Sequence, residues 1–282
     1  MLRKSIALAI LGLAFVAGPA SAAHPGYEHR HVDFSFEGPF GKFDEAQLQR
    51  GYKVYREVCA ACHAMDMMYF RNLGQAGGPF YDPEYKNPND NPYVKSLAKD
   101  IQVPDIDTDT GDAIQRPATP ADKFPKPFPN EYAARASNGG ALPPDLSVIA
   151  KAREGGAHYI YSLLTGYRNP ATYRNEDGHA LPAENRPGEG LHFNPYFPNL
   201  NLAMAPPLAS EGQVTYSDGT RASVDQMAKD VAAFLTWTAE PTLVKRKQTG
   251  WAVLGFLLFA TVLAWFAKKQ VWAPVVPKRR KD

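Results

Sequence analysis

The sequence predicts a mainly α-helical protein: a head rich in long ordered loops, joined to a single C-terminal transmembrane helix. Three observations carry this. Thr249 to Ala267 is an apolar run of 19 residues without a charge. Before it, helical spacing of apolar residues stands out in three places, and the 25 Pro and 22 Gly of the chain break up much of the rest. Both cysteines fall in one five-residue motif, Cys59-Ala60-Ala61-Cys62-His63. So many loops with so little strand signal imply a core organised around something bulkier than side chains.

Residues 1–22 read as a secretory signal. Arg3 and Lys4 supply the charge, Ile6 to Ala17 the apolar stretch, and Ala20-Ser21-Ala22 the small-residue cleavage site. The mature chain then begins at Ala23, outside the cytoplasm. The head spans 23–244.

Its first helix is expected from about Asp44 to Val58. Asp44 with Gln47 resembles a capping box, and Leu48, Tyr52, Tyr55 and Val58 recur at helical spacing. It leads directly into Cys59. Two thiols spaced i, i+3 and followed at once by His form the attachment pattern for a c-type haem. Each thiol adds to one vinyl group, and the His becomes the first axial ligand of the iron. A structural disulfide needs no His. A thioredoxin-type pair needs a compact βαβ context, and a zinc site needs two further ligands at suitable spacing, with no other Cys to supply them. The motif therefore predicts a c-type cytochrome fold around one covalently bound haem c, in an oxidising compartment.

Gly77–Pro129 and Asn169–Pro198 read as loops. A second helix is expected from about Gly156 to Gly166, with Tyr159, Ile160, Leu163 and Leu164 on one side. A third runs from Ser223 to Thr238, with Ser223 as cap, Gln226 completing a box, and Val224, Met227, Val231, Phe234 and Leu235 as the apolar face. Gly51 and Phe234 are candidates for a close crossing of the first and third helices. The second iron ligand is sought among Met and His. Met65, Met67 and Met68 lie too near His63 to reach the opposite haem face, and Met227 belongs to the third helix's core stripe. Met204 lies in a proline-stiffened loop, Asn201-Leu202-Ala203-Met204-Ala205-Pro206-Pro207-Leu208. It fits the ligand; a packing methionine is the other reading. A His–Met pair closes the iron and raises its potential, which suits electron transfer.

The uncharged run at ~1.5 Å per residue reaches about 28 Å, enough for a bilayer core, with Trp251 and Trp265 near its ends. Six basic residues follow it (Lys268, Lys269, Lys278, Arg279, Arg280, Lys281) against three before it (Lys245, Arg246, Lys247), which favours the tail inside. The transmembrane segment with its flanks is 245–270 and the basic cytoplasmic tail 271–282. Although the whole chain carries a formal +2, residues 23–244 hold 20 basic and 28 acidic residues, a net of −8. An acidic surface steers basic partners at low salt, and it also serves plain solubility.

In order along the chain, CAACH, ASNGGALPPDLS (136–147), KAREGG (151–156), YSLLTGY (161–167), FNPYFPN (193–199), AMAPPL (203–208) and DQMAKDVAAFLTWTAEP (225–241), then one membrane helix, closely resemble the cytochrome c1 family. That family supplies the haem subunit of the cytochrome bc1 complex, ubiquinol–cytochrome c reductase, and the signal peptide suggests a proteobacterial form. The resemblance implies thioethers at Cys59 and Cys62 and axial ligands at His63 and Met204. It implies haem contacts at Asn138, Ala141, Pro143, Pro144 and Ile149, an Arg153 that meets a propionate, and further pocket positions at Tyr159, Leu164, Phe197, Leu202 and Pro207. It implies no catalytic site of the chain's own. The implied partners are cytochrome b, which does the quinol chemistry, the Rieske iron–sulfur protein as donor, a soluble or membrane-bound c-type cytochrome as acceptor, and membrane lipid, in a dimeric complex of the bacterial inner membrane with the haem domain periplasmic. No nucleic acid is implied. Some bacterial members brace the Met side with a second Cys pair, which this chain lacks. Its acidic run Asp100, Asp105, Asp107, Asp109 and Asp112 reads first as a solvated loop, with docking of a soluble cytochrome c as the alternative.

Overall fold

The computed structural model describes residues 28–175 and 177–275. The expected signal peptide and the last seven residues of the basic tail lie outside the described residues. The expected first helix is α1, Glu45–Glu57, and the Asp44 carboxylate caps it by accepting from the Gln47 amide at 3.1 Å. It buries Leu48, Gly51, Tyr52, Val54 and Tyr55. A 3₁₀ turn over Cys59–Ala61 follows at once, so the helix delivers the motif on a fixed heading.

The segment expected to be loop from Gly77 to Pro129 is more regular than that. It holds α2 (Pro92–Lys99) and an antiparallel hairpin of β1 (Gln102–Ile106) and β2 (Ala113–Pro117), paired Gln102 to Pro117 and Ile106 to Ala113. Asn91 starts α2 from a fully buried position. Its Oδ1 accepts from the Tyr93 and Val94 amides, and its Nδ2 donates to the Phe80 carbonyl at 2.8 Å. Pro92 occupies the first helical position, where its missing N–H costs nothing. Most of the acidic run lies in this hairpin. Asp105 pairs with Arg116, which also holds Asp122 at 2.7 Å. Asp107 accepts from the amides of Asp109 and Thr110 and so builds the turn itself. Arg116 and the Thr119 amide and hydroxyl hold the Asp122 carboxyl well below the usual carboxylate range.

Two short helices, α3 (Glu131–Ser137) and α4 (Ile149–Ala152), flank the 138–148 loop. The second expected helix is α5, Ala157–Thr165. Gly155 has φ +80°, and the His29 ring occupies the place where a Cβ would stand, 2.2 Å away. The segment 28–37 runs along α5, with the Arg30 amide donating to Ser162 Oγ and the His158 ring bonded to Glu37 at 2.6 Å. A two-residue ladder of β3 (His192–Phe193) and β4 (Asn201–Leu202) precedes the Met204 loop.

The third expected helix, α6 (Val224–Ala239), is the hub: α1, α4 and α5 all pack on it. Ser223 Oγ accepts from the Gln226 amide as expected, but the box is not closed from the other side. The Gln226 side chain turns instead to Asp230 Oδ1 at 2.8 Å, because that carboxylate is fully buried and needs donors. The Gly51–Phe234 crossing is real. A Cβ on Gly51 would sit 2.1 Å from the Asp230 carbonyl oxygen and 2.6 Å from Phe234 Cβ. Gly51→Ala therefore has to push α1 and α6 apart. It is expected to cost ~1–3 kcal/mol despite alanine's better helix propensity, read as a lowered midpoint in denaturant unfolding. Around the crossing, Tyr52, Tyr55, Phe70, Phe124, Phe234 and Trp237 form one aromatic core.

The last element, α7 (Leu243–Trp272), has 30 residues and contains the whole uncharged run. None of its most apolar window is buried against the head, and Leu258 and Phe259 are 69% and 61% exposed. That much unpartnered apolar surface in a helix of this length fits a membrane anchor.

Candidate haem site

Two unpaired thiols and one imidazole stand at the end of α1. Cys59 and Cys62 are not bonded to each other. Burial, with Cys62 beside it, pushes the Cys59 thiol up to about 12. Among the described residues there is no group of three or more His, Cys, Asp or Glu that could hold a metal ion.

His63 is oriented by a backbone oxygen. Its Nδ1 lies 2.8 Å from the Pro144 carbonyl. A carbonyl can only accept, so Nδ1 carries the proton and Nε2 is left with a free lone pair. Burial lowers the pKa of the ring and favours the neutral form that a metal ligand requires. The loop that supplies this carbonyl is stitched to the segment after His63. The Leu146 amide donates to the Ala64 carbonyl at 2.9 Å, the Asp66 amide to Asp145 Oδ2 at 2.8 Å, and the Met67 amide to Ser147 Oγ at 3.1 Å. Asp145 and Ser147 are functional residues that the sequence reading missed. Their signal was present in the Pro-Pro-Asp-Leu-Ser run itself, where Asp and Ser beside prolines offer acceptors to a neighbouring backbone.

The other expected positions divide into two groups. On the His63 side, Ala141 and Pro143 are half-buried in the loop, Pro144 is exposed, and Ile149 is buried at the start of α4. Asn138 caps α3, its Nδ2 donating to the Ala134 carbonyl at 2.7 Å. Gly139 and Gly140 follow it at φ +59° and +87°, which turns the chain toward Pro143. In the Met204 segment, Leu202 is buried on β4, and Phe197, Met204 and Pro207 are half-buried. Tyr167, another residue that the sequence reading passed over, donates from its hydroxyl to the Met204 carbonyl at 3.0 Å. Gln213 Nε2 holds the Pro207 carbonyl at 2.8 Å, so the Met204 loop is tied down at both ends. Packing and hydrogen bonds thus brace the loop without a disulfide. Asn194, fully buried, locks the turn before it by donating to the Leu163 carbonyl at 2.8 Å and accepting from the Tyr196 amide. Leu200, at φ +62°, is the one non-glycine residue with positive φ among those described.

Helix α5 links the groups. Just before it, Arg153 Nη1 donates to the Ala152 carbonyl at 3.0 Å; Tyr159 is buried on the helix, Leu164 is half-buried, and its far end leads to Tyr167. Burial and the nearby Tyr159 raise the Tyr167 pKa, so its hydroxyl remains a donor at any physiological pH. The donor chemistry fits a haem: two free thiols, a neutral imidazole with a free lone pair, and half-buried apolar residues in both loop segments. Helices and loops that hold such a set, above one long apolar helix, define a membrane-anchored haem protein of the electron-transfer kind.

Comparison with known proteins agrees. Residues 34–275 match the cytochrome C1 family, so the chain belongs to that family. It is 42% identical to cytochrome c1 of Rhodospirillum rubrum over 275 residues, covering 95% of this chain and 97% of that one. It is 42% identical to the mitochondrial cytochrome c1 heme protein of Saccharomyces cerevisiae over 268 residues, covering 94% and 79%. Against the cytochrome b/c1 of Bradyrhizobium diazoefficiens identity is 45% over 258 residues, 85% of this chain but about a third (35%) of that longer protein. As a family member, the chain is the haem-bearing electron-transfer subunit of the bc1 oxidoreductase complex, with no catalytic site of its own.

Proposed function

We propose that this subunit takes one electron from the Rieske iron–sulfur protein and passes it to a soluble or membrane-bound c-type cytochrome, while cytochrome b handles quinol beside it. One haem c is attached through Cys59 and Cys62, with His63 and Met204 as axial ligands and Arg153 facing a propionate. The haem supplies a one-electron couple; the chain's residues fix its ligands, exclude water and present a docking surface. The observation that carries the reading is the Pro144 carbonyl on His63 Nδ1, which sets the tautomer an iron ligand needs. The signal sequence and the excess of basic residues after the membrane run support a haem domain, 23–244, in the periplasm and a tail, 271–282, in the cytoplasm of a bacterial inner membrane; the family likeness supports a dimeric complex.

A reduced-minus-oxidised difference spectrum of the protein purified in mild detergent from its native membrane tests this. Bands of c-type and b-type haem in fixed ratio are expected. A c-type band alone would point to a free, tethered shuttle. Tyr167→Phe removes the hydroxyl on the Met204 carbonyl. The variant should fold with a loss of about 1 kcal/mol, yet show a lower potential and easier displacement of the methionine by added imidazole. Unchanged imidazole affinity would contradict the bracing role.

The acidic hairpin also suits docking of a basic acceptor, though Asp105 and Asp107 have structural duties. Asp109 and Asp112, both exposed near the turn, are left to act on a partner. Changing both to Lys should slow reduction of a basic acceptor several-fold at low salt and little at high salt. Equal rates at low salt would leave the hairpin as a solvated turn.

A further inference from the structure

We infer that the loop Glu37–Lys42 is a second contact with the bilayer: Phe40 lies in the headgroup–acyl boundary beside Trp251 and fixes how the head sits on its anchor. The inference rests on reading α7 as a membrane span. The loop is rigid at its base. The Lys42 amide donates to the Ser35 carbonyl at 2.9 Å and the Glu37 amide to the Phe34 carbonyl at 3.0 Å. Phe36 is buried against Phe34 and Phe43, with ring centroids 5.0 and 4.9 Å away. Gly38 takes φ +66°, and a Cβ on Gly41 would stand 1.9 Å from the Glu37 carbonyl oxygen, so the turn is tight. This well-held loop nevertheless presents Phe40 at 77% exposure, on an uncharged tip of Gly38, Pro39, Phe40 and Gly41.

Depth follows from the helix. The uncharged run begins at Thr249 and is about as long as a ~30 Å bilayer core, which puts Trp251 at the boundary, where indoles collect. The Phe40 ring stacks on Trp251 with centroids 5.4 Å apart and planes 15° apart, so it shares that depth. The polar groups of the loop are provided for. Trp251 Nε1 donates to the Pro39 carbonyl at 3.4 Å, and Lys247 Nζ donates to the Phe36 and Gly38 carbonyls at 2.7 and 2.6 Å. Carbonyls leaving water need such partners, whereas a loop that stays in water does not. Lys245 places positive charge at the level of lipid phosphates, while Arg246 is paired with Glu240 and Lys247 holds the loop carbonyls. The alternative occupant is a neighbouring protein chain of the complex.

The test uses the purified complex reconstituted in phosphatidylcholine vesicles, with a nitroxide attached at Phe40→Cys, Asp109→Cys or Leu258→Cys. Collisions with oxygen, which concentrates in lipid, are compared with collisions with a water-soluble nickel chelate. The label at 40 should favour oxygen several-fold more than the label at 109, and less than the label at 258. A position-40 label that matches 109 overturns the proposal. So does one that neither reagent reaches, which would mean that protein covers it. If the label at 258 itself reads as aqueous, the membrane span falls, and this proposal with it; a lipid-buried 258 with an aqueous 40 sinks only the proposal.

Discussion

Met204→Leu is expected to lower the midpoint potential by on the order of a few hundred millivolts, a large part of the ~0.8 V over which axial ligands set haem potentials. A thioether stabilises the reduced iron, and leucine offers no lone pair to replace it. The loop should survive the change, because Tyr167 holds the Met204 carbonyl and Gln213 the Pro207 carbonyl, and neither contact uses the methionine side chain. The variant should therefore retain its haem, gain affinity for carbon monoxide, and lose turnover of the complex. A potentiometric titration decides it: a midpoint within experimental scatter of the wild type would remove Met204 from the iron.

The largest expected loss of stability comes from Arg50→Met. Asp230 is fully buried, and Arg50 Nε lies 3.0 Å from its Oδ2, with Gln226 on the other oxygen at 2.8 Å. Removing the guanidinium leaves a buried carboxylate with one amide donor. The expected cost is ~3–5 kcal/mol. Adding Asp230→Leu should recover most of it, since replacing both partners of a buried pair by apolar groups is often nearly neutral. Denaturant unfolding of the detergent-solubilised protein, followed by the haem absorption, measures both. A single variant within about 1 kcal/mol of the wild type would mean that water reaches Asp230.

What the sequence made legible is local. Asp44 and Ser223 cap the helices they precede, and Gly51 opposite Phe234 is a crossing that only the smallest residue permits. The hairpin at 102–117 was hidden because its connection carries no two-residue turn signature. Asp107 makes the turn with a side chain, and Gly111 at φ +79° completes it. Helix α2 did have a signal, Asn91 followed by Pro92, which its length of only eight residues inside a Pro- and Asn-rich stretch obscured. At the site, the Cys59-Cys62-His63 spacing and the proline-framed Met204 stood out because their chemistry resides in side chains. The Pro144 carbonyl and the backbone stitching from Ala64 to Met67 could not be read, since every residue has a carbonyl and only the fold says which one faces His63. Tyr167 was hidden for a related reason: a tyrosine after a helix reads as packing until its hydroxyl is seen on the Met204 carbonyl.

The most direct single measurement is the absorption of the oxidised wild-type protein at the red end of the visible spectrum, where sulfur-to-iron charge transfer appears, repeated under carbon monoxide after reduction. A weak charge-transfer band, together with a reduced spectrum that carbon monoxide leaves unchanged, is the result expected of iron closed between His63 and Met204. No such band, with ready carbon monoxide binding, would contradict it and make the sixth position open.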